Sequence, residues 1–116
     1  MIDVTRLMQG TALFLLGQIF VWYQINGQFL SGWMKEHPLA VSLLGIPISL
    51  TYIYATQYLV EAFGGELWPQ RLIGFAVGML AFAFLTWLHL GQSITIKTAV
   101  TLALAAAIVV IQIMWK

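Results

Sequence analysis

The sequence predicts an all-α integral membrane protein with four antiparallel transmembrane helices and short loops. Of its 116 residues, 61% are hydrophobic and 8% are charged, whereas soluble proteins average about 25% charged residues. The nine charged side chains leave four uncharged windows, at 7–34, 37–60, 72–96 and 98–115. Each window matches the roughly 20 apolar residues that a helix needs to cross the hydrocarbon core. None has the polar face of a soluble amphipathic helix. We therefore expect residues 1–116 to form a single transmembrane domain.

The helices are expected at about residues 6–28, 39–62, 68–90 and 94–115. Asp3 rather than a basic run precedes the first helix, and no small-x-small cleavage site follows it, so we expect this helix to remain in the mature protein. Pro38 suits the first turn of the second helix, because its φ is already set and its missing N–H is not needed there. Pro47 lies in the middle of the second helix, where it removes a backbone hydrogen bond and predicts a kink.

Turn-forming residues mark the ends of the later helices. Gly64 and Gly65 suit the positive φ that ends the second helix, and Pro69 suits the first turn of the third. Gly91 is expected to end the third helix, and Ser93 is expected to cap the fourth. Because such short connections join neighbouring antiparallel helices, the chain ends and the loop near residue 65 should share one membrane face.

Tryptophans and charges place the membrane boundaries. We expect four membrane-interface anchors, Trp33, Trp68, Arg71 and Trp115. Arg71 is expected to reach lipid phosphate or pair with Glu66, and a role toward substrate is the alternative. The basic residues divide 3 to 2 between the two faces. The positive-inside rule then places both termini in the cytoplasm, and insertion in both orientations is the alternative.

Polar side chains inside the first two helices are the candidate functional residues. Gln18, Trp22 and Asn26 lie four residues apart and follow one stripe of the first helix. Tyr52 and Thr56 lie near the expected kink of the second helix. A polar side chain that faces lipid lacks a hydrogen-bond partner, so these five side chains should face protein or water. They either line a substrate pathway or hold helices together by hydrogen bonds.

Small residues indicate close helix packing. Gly74 and Gly78 form the small-x-x-x-small pattern that lets two helix backbones approach closely. Ala99, Ala103 and Ala106 follow one stripe of the fourth helix, which is our choice for a subunit interface. We assign these residues and Pro47 to helix packing.

Several function classes find no support. The chain has no cysteine, no Ser-His-Asp set and no phosphate loop, so we expect neither an enzyme nor a bound cofactor. The two histidines, His37 and His89, lie on separate segments and make a poor metal site. No carboxylate lies well inside a predicted helix, so a proton-relay acid is not expected. The net charge of +1 shows no basic patch for nucleic acid.

The last two predicted helices resemble those of the drug/metabolite transporter superfamily, particularly the small multidrug resistance proteins. The residues that carry the resemblance are RLIGFAVGMLAFAFLTWLHLGQSITIKTAVTLALAAAIVVIQIMW. Gly91, Gln92, Ile94 and Thr95 match the turn between those helices. The resemblance implies the four-helix fold of that superfamily. That family has an essential glutamate in the first helix, whereas this chain has Gln18 and no acid at that level, so the resemblance does not carry over cation/proton antiport.

The sequence thus leads to two hypotheses. The first is a small transporter-like membrane protein that moves a small amphipathic or lipid-like compound. A four-helix chain has too little interior for an alternating-access pathway, so it is expected to work as a homodimer in the lipid bilayer. The second is a membrane accessory or interaction subunit that does not transport, in which the intramembrane polar groups only hold helices together.

Overall fold

The computed structural model describes residues 2–115 and is 84% helical, with no strand in that range. Lys116, one of the five basic residues of the sequence, lies outside it. The helices are α1 (Val4–Asn26), a 3-10 turn (Gly27–Phe29), α2 (Gly32–Glu36), α3 (Pro38–Ser42), α4 (Gly45–Ala62), α5 (Trp68–Leu90) and α6 (Ile96–Met114). Four spans are long and apolar enough to cross a membrane, and we number them in chain order: Val4–Phe29, Pro38–Ala62, Trp68–Leu90 and Ile96–Met114. The prediction of four membrane-length helices is confirmed, which by composition indicates a multi-pass membrane protein.

The ends of the spans follow local backbone chemistry. The Asp3 carboxylate accepts a hydrogen bond from the Arg6 backbone N–H and so caps α1. Gly91 ends α5 in the left-handed conformation, at φ 66°, as predicted for a residue without a Cβ. The expected N-cap at Ser93 is wrong. Thr95 has the extended backbone of a cap, and its hydroxyl accepts from the Thr98 N–H, so α6 begins two residues later than expected.

The second span is interrupted four residues before Pro47. Leu43 and Leu44 form a turn between α3 and α4. Because Pro47 has no N–H to offer, the Leu43 carbonyl accepts from the Ile46 N–H at 3.2 Å, which is a tighter i to i+3 bond. The Thr51 hydroxyl donates to the Pro47 carbonyl at 2.9 Å. The expected kink is therefore a short break in the helix, and its freed carbonyl is satisfied locally.

The first connection contains a short helix where the sequence predicted a loop. Ser31 caps α2 by accepting from the Met34 N–H. The Trp33 ring stacks on His37 with ring centroids 4.5 Å apart, and His37 Nδ1 lies 2.7 Å from the Trp33 carbonyl oxygen. This compact connection holds the expected anchor Trp33 at an exposed position.

The first span is central and packs against both the second and the third. The Asp3 N–H donates to the Ala62 carbonyl at 3.1 Å, and Arg6 Nε lies 3.1 Å from Glu61 Oε2. Further along, the core consists of apolar side chains from the first three spans: Phe14, Ala55, Leu59, Ile73 and Val77. Burial of these side chains removes apolar surface from the lipid and fixes the relative register of the three spans.

The fourth span packs mainly against the third, and most of its surface is uncovered. Ala105 is its one buried residue within the described part of the chain. The molecule measures 48 × 36 × 18 Å, and its smallest dimension is less than two helix diameters of about 10 Å. The spans therefore form a thin layer, with the fourth at its edge, rather than a closed bundle. Large apolar side chains such as Leu39 and Ile96 are more than 80% exposed, as expected where lipid is the solvent.

Candidate functional site

Two adjoining cavities lie along the contact of the first span with its neighbours. The first, which we name cavity A, has a volume of about 460 Å³ and lies among the first, second and third spans. The second, cavity B, has a volume of about 360 Å³ and lies between the first and third spans. Gln18 and Phe75 line both cavities. The two cavities therefore adjoin at Gln18 and Phe75, and we refer to them together as the groove.

Cavity A is the more polar of the two. Three of the predicted pathway residues, Gln18, Tyr52 and Thr56, come together in its wall, although the first and the other two lie more than thirty positions apart in the chain. The third span adds two polar residues, Gln70 and Arg71. Five polar side chains from three spans therefore converge on one space, and aromatic rings complete its wall.

Helical spacing explains why these residues face the same cavity. Gln18 follows Phe14 by four residues, Thr56 follows Tyr52 by four, and Phe75 follows Arg71 by four, and all six line cavity A. Residues four apart lie on the same face of a helix. Each of the three spans therefore contributes one short stripe, and the packing register brings the three stripes together.

Glycines in the third span set how closely the first span approaches. A Cβ added to Gly78 would lie 2.8 Å from Gln18 Cδ, and one added to Gly74 would lie 3.1 Å from Phe14 Cε1. Both distances are shorter than ordinary van der Waals contact. The small-x-x-x-small pattern thus faces the first span, and it leaves room for the Gln18 side chain beside the cavities.

The polar side chains of cavity A have no hydrogen-bond partner within residues 2–115. Hydrogen bonds elsewhere in that range satisfy Trp22, Gln24 and Thr51, but none involves the side chain of a residue that lines cavity A. No buried side-chain nitrogen or oxygen is left unsatisfied in the same range. The polar atoms of the cavity residues therefore have accessible surface, and a molecule or water bound in the cavity can satisfy them.

Trp22 differs from the other predicted pathway residues. Its ring is 3% exposed, and its indole N–H donates to the Thr86 hydroxyl of the third span at 3.1 Å. This is the interhelical hydrogen bond of the alternative interpretation, and it satisfies the polar group of a tryptophan that is buried against the third span. Asn26 lines cavity B and makes no side-chain hydrogen bond among the described residues. Trp22 also lines cavity B, so all three stripe residues lie at that cavity, and only Trp22 among them has a hydrogen-bond partner within residues 2–115.

An aromatic cluster extends the Trp22 contact toward the end of the third span. His89 stacks on Trp22 with ring centroids 5.3 Å apart, and its Nε2 shares a hydrogen bond with the Tyr23 hydroxyl. Sequence reasoning singled out His89 but missed Tyr23 and Thr86. The residues of each pair, Trp22 with Thr86 and Tyr23 with His89, lie more than sixty positions apart in the chain. No local sequence pattern therefore marks these pairs.

The remaining predicted residues lie on the surface. Pro47, Ala99 and Ala103 are exposed, the latter two on the uncovered side of the fourth span. Trp68 and Trp115 are more than 75% exposed.

Gln70 is a cavity residue that sequence reasoning missed. It lines cavity A from the third span beside Arg71. The signal that marks it is its spacing of four from Gly74, on the face that meets the first span.

No group of three His, Asp or Glu side chains that could hold a metal ion occurs among residues 2–115. The chemistry available in cavity A is instead hydrogen bonding by two amides and two hydroxyls, together with one guanidinium. These groups can bind and orient a small molecule.

No protein-family model, curated protein or solved structure matches this chain. The functional assignment therefore rests on the geometry of the cavities.

Proposed function

We propose that this chain is a small transporter-like integral membrane protein that moves a small amphipathic or lipid-like compound. The observation that carries the proposal is the convergence on cavity A of polar side chains that have no partner within residues 2–115. A polar group in the membrane that served only to hold helices together would have a protein partner, as Trp22 has. Polar groups that face an accessible cavity instead suit a substrate that enters and leaves.

We further propose that successive spans are antiparallel. The contacts between the first and second spans support this arrangement, because Asp3 meets Ala62 near one end and Gln24 meets Val41 near the other. The contacts between the first and third spans support a parallel pair, since Trp22 meets Thr86 and Tyr23 meets His89. This alternation is what a chain crossing the membrane four times requires.

The working unit in this proposal is a homodimer. Ala99 and Ala103 lie on a side of the fourth span that no other span covers, and their small side chains permit close approach of a second helix. A second copy would also supply the repeat that an alternating-access cavity needs. Cavity A is open at its exposed residues Arg71 and Phe75, which suits completion of its wall by another subunit.

The alternative is a membrane accessory subunit without transport of its own. The uncovered fourth span favours it, because the same surface suits a different membrane protein as well as a second copy. The two hypotheses differ in what the cavity amides do. In the accessory hypothesis Gln18 contributes to stability, and in the transporter hypothesis it contributes to binding.

Two glutamines of the first span provide a matched test. Gln18 faces cavity A, whereas the Gln24 amide donates to the Val41 carbonyl at 3.3 Å. We expect Gln18→Leu to leave the melting temperature in mild detergent unchanged or higher, because no protein hydrogen bond is lost. Gln24→Leu should lower the melting temperature, because the substitution removes an interhelical hydrogen bond. The expected loss in free energy of unfolding is about 0.6 to 2 kcal/mol.

Ligand response completes the test. Phenylbutyrate, phenylbutylamine and phenylbutanol share one body and differ in charge. We expect at least one of them to raise the melting temperature of the unmodified protein and of Gln24→Leu, but not that of Gln18→Leu. A Gln18→Leu variant as destabilised as Gln24→Leu, with no response of any variant to the three probes, would contradict the transporter proposal and favour the accessory subunit.

A further inference from the structure

Arg71 is a cation in the wall of cavity A without a carboxylate partner among residues 2–115. The one ion pair in that range is that of Arg6 with Glu61, so the expected alternative pairing of Arg71 with Glu66 is not formed. Of the described residues, no Asp or Glu lines cavity A or cavity B. The positive charge at the mouth of the groove is therefore uncompensated by the described chain, and a cavity beside a membrane is a place where such a charge attracts an anion strongly.

The other polar groups of cavity A complement an anion. The Gln18 and Gln70 amides and the Tyr52 and Thr56 hydroxyls can all donate hydrogen bonds. The guanidinium of Arg71 adds five N–H donors in a planar arrangement that matches the oxygens of a carboxylate or phosphate. A cationic substrate would meet the Arg71 charge with no acidic group of the described chain in the wall to offset it.

Cavity B extends this polar region with an apolar one. It continues from the shared Gln18 and Phe75 to Phe82, and Val21, Ile25 and Met79 line it as well. The distance along the third span from residue 71 to residue 82 is about 16 Å at the rise of an α-helix. A molecule with an anionic end at Arg71 can therefore place an apolar body of that length along the groove.

We propose that the groove formed by cavities A and B binds an amphipathic anion, with its carboxylate or phosphate at Arg71 and its apolar body beside Phe75 and Phe82. The inference rests on the proposed function in that it takes the same cavity as the substrate site, and it adds the charge of the substrate and the orientation in which it binds. It also gives Arg71 a role toward the ligand in place of the membrane anchor expected from the sequence.

The chain offers a direct reporter for this site, because Arg6 and Arg71 are its two arginines. Their side-chain Nε–H groups give two NMR signals, which Arg71→Lys assigns by removing one of them. The protein is placed in nanodiscs of phosphatidylcholine. Phenylbutyrate and decyl phosphate are the anionic probes, and phenylbutylamine and decyltrimethylammonium are the cationic probes with the same bodies.

We expect both anions or one of them to shift the Arg71 signal saturably and to leave the Arg6 signal unchanged. Response to phenylbutyrate alone identifies a small soluble anion, and response to decyl phosphate alone identifies a lipid-like one. Arg71→Gln should weaken anion binding by about tenfold or more, as expected for loss of a charge-assisted hydrogen bond. Arg71→Lys should retain part of the affinity, and the control Arg6→Gln should retain all of it.

Three results would overturn the anion site. One is equal binding of anionic and cationic probes by the unmodified protein, a measurement that does not depend on any variant folding. Another is unchanged anion affinity in a folded Arg71→Gln protein. The third concerns lipid: if phosphatidylglycerol in the nanodisc shifts the Arg71 signal and neither anionic probe competes, Arg71 is a headgroup anchor only. If phosphatidylglycerol shifts it and decyl phosphate competes, an anionic lipid is the ligand and the proposal stands.

Different results would contradict the transporter proposal and the anion site. Anion binding at Arg71 without uptake of phenylbutyrate or decyl phosphate into proteoliposomes would leave the binding site and remove transport. Uptake of a cationic or neutral probe that is insensitive to Arg71→Gln would leave transport and remove the anion site.

Discussion

At the scale of single residues, hydrogen-bond partners distinguish side chains that the sequence makes equivalent. Gln18 and Trp22 lie one helical turn apart on the same stripe of the first span. The Trp22 indole has a buried partner in Thr86, whereas the Gln18 amide faces two cavities without one among residues 2–115. In lipid a polar side chain has few alternatives to a protein partner, so this difference separates a side chain held by the protein from one that is available to the ligand of the proposed function.

The Trp22–Thr86 hydrogen bond should contribute measurably to stability. We expect Trp22→Phe and Thr86→Val each to lower the free energy of unfolding, with a coupling energy of about 0.6 kcal/mol and at most about 2 kcal/mol. A double-mutant cycle in detergent isolates this term from the change in side-chain volume. Trp33→Phe is the control, because Trp33 is exposed and should show no coupling to Thr86→Val.

At the scale of elements, the first span is the structural centre because both of its neighbours approach it at glycines. Gly10 lies against Leu59 of the second span, and Gly74 and Gly78 lie against side chains of the first. Leu59 and Ala55 are fully buried on the second span at this contact. Without a strong hydrophobic drive between helices in lipid, such close packing supplies much of the association energy.

Gly10→Ala tests this packing. The added methyl would lie 2.6 Å from Leu59 Cγ and 3.0 Å from the Leu59 backbone nitrogen, and the buried Leu59 has little free space into which to move. We expect a loss of about 1 to 3 kcal/mol, as for other overpacked cores, measured by unfolding in mixed micelles. Gly32→Ala is the matched control, since a Cβ there meets nothing within 4 Å. Equal stability of the two variants would contradict the close approach at Gly10.

At the scale of the whole molecule, the thin layer of spans and the uncovered fourth span suit assembly. The basic residues divide 3 to 2 between the two expected membrane faces, so the chain carries little information on its own orientation. If both orientations occur, two copies can pair in opposite senses and enclose cavity A between them. Orientation is therefore the property on which the form of the proposed dimer depends.

Charge balance provides the test of orientation. Reporter tags at both termini of the unmodified chain should give signal from the cytoplasmic side alone if the 3 to 2 division orients the chain, and from both sides if the chain inserts in both orientations. Lys35→Gln with Lys97→Gln removes both basic residues of one face, and both side chains are exposed. We expect this variant to place both termini in the cytoplasm. The reverse control, Ser93→Lys, adds a basic residue to that face and should shift signal the other way. Tags that report one side in all three proteins would contradict dual insertion.

The sequence by itself determined the number of spans, their approximate limits and most of their turns. Hydropathy and the spacing of the nine charged residues are local properties of the sequence. They therefore indicate a membrane-length helix regardless of how that helix packs against other helices. The left-handed conformations of Gly64, Gly65 and Gly91 were predicted for the same reason. The cap at Thr95 and the break at Leu43 differ from prediction by a few residues, because competing hydrogen bonds decide such details.

Only the tertiary structure decided what each polar side chain faces. Gln18, Tyr52, Thr56 and Arg71 come from three spans, and their meeting depends on the register in which those spans pack. That register follows from glycine contacts and core side chains far apart in the chain. A helical stripe specifies which residues share a face but not what lies opposite it. Arg71 therefore resembled a membrane anchor in the sequence, and the packing of the first and third spans placed it in the wall of a cavity.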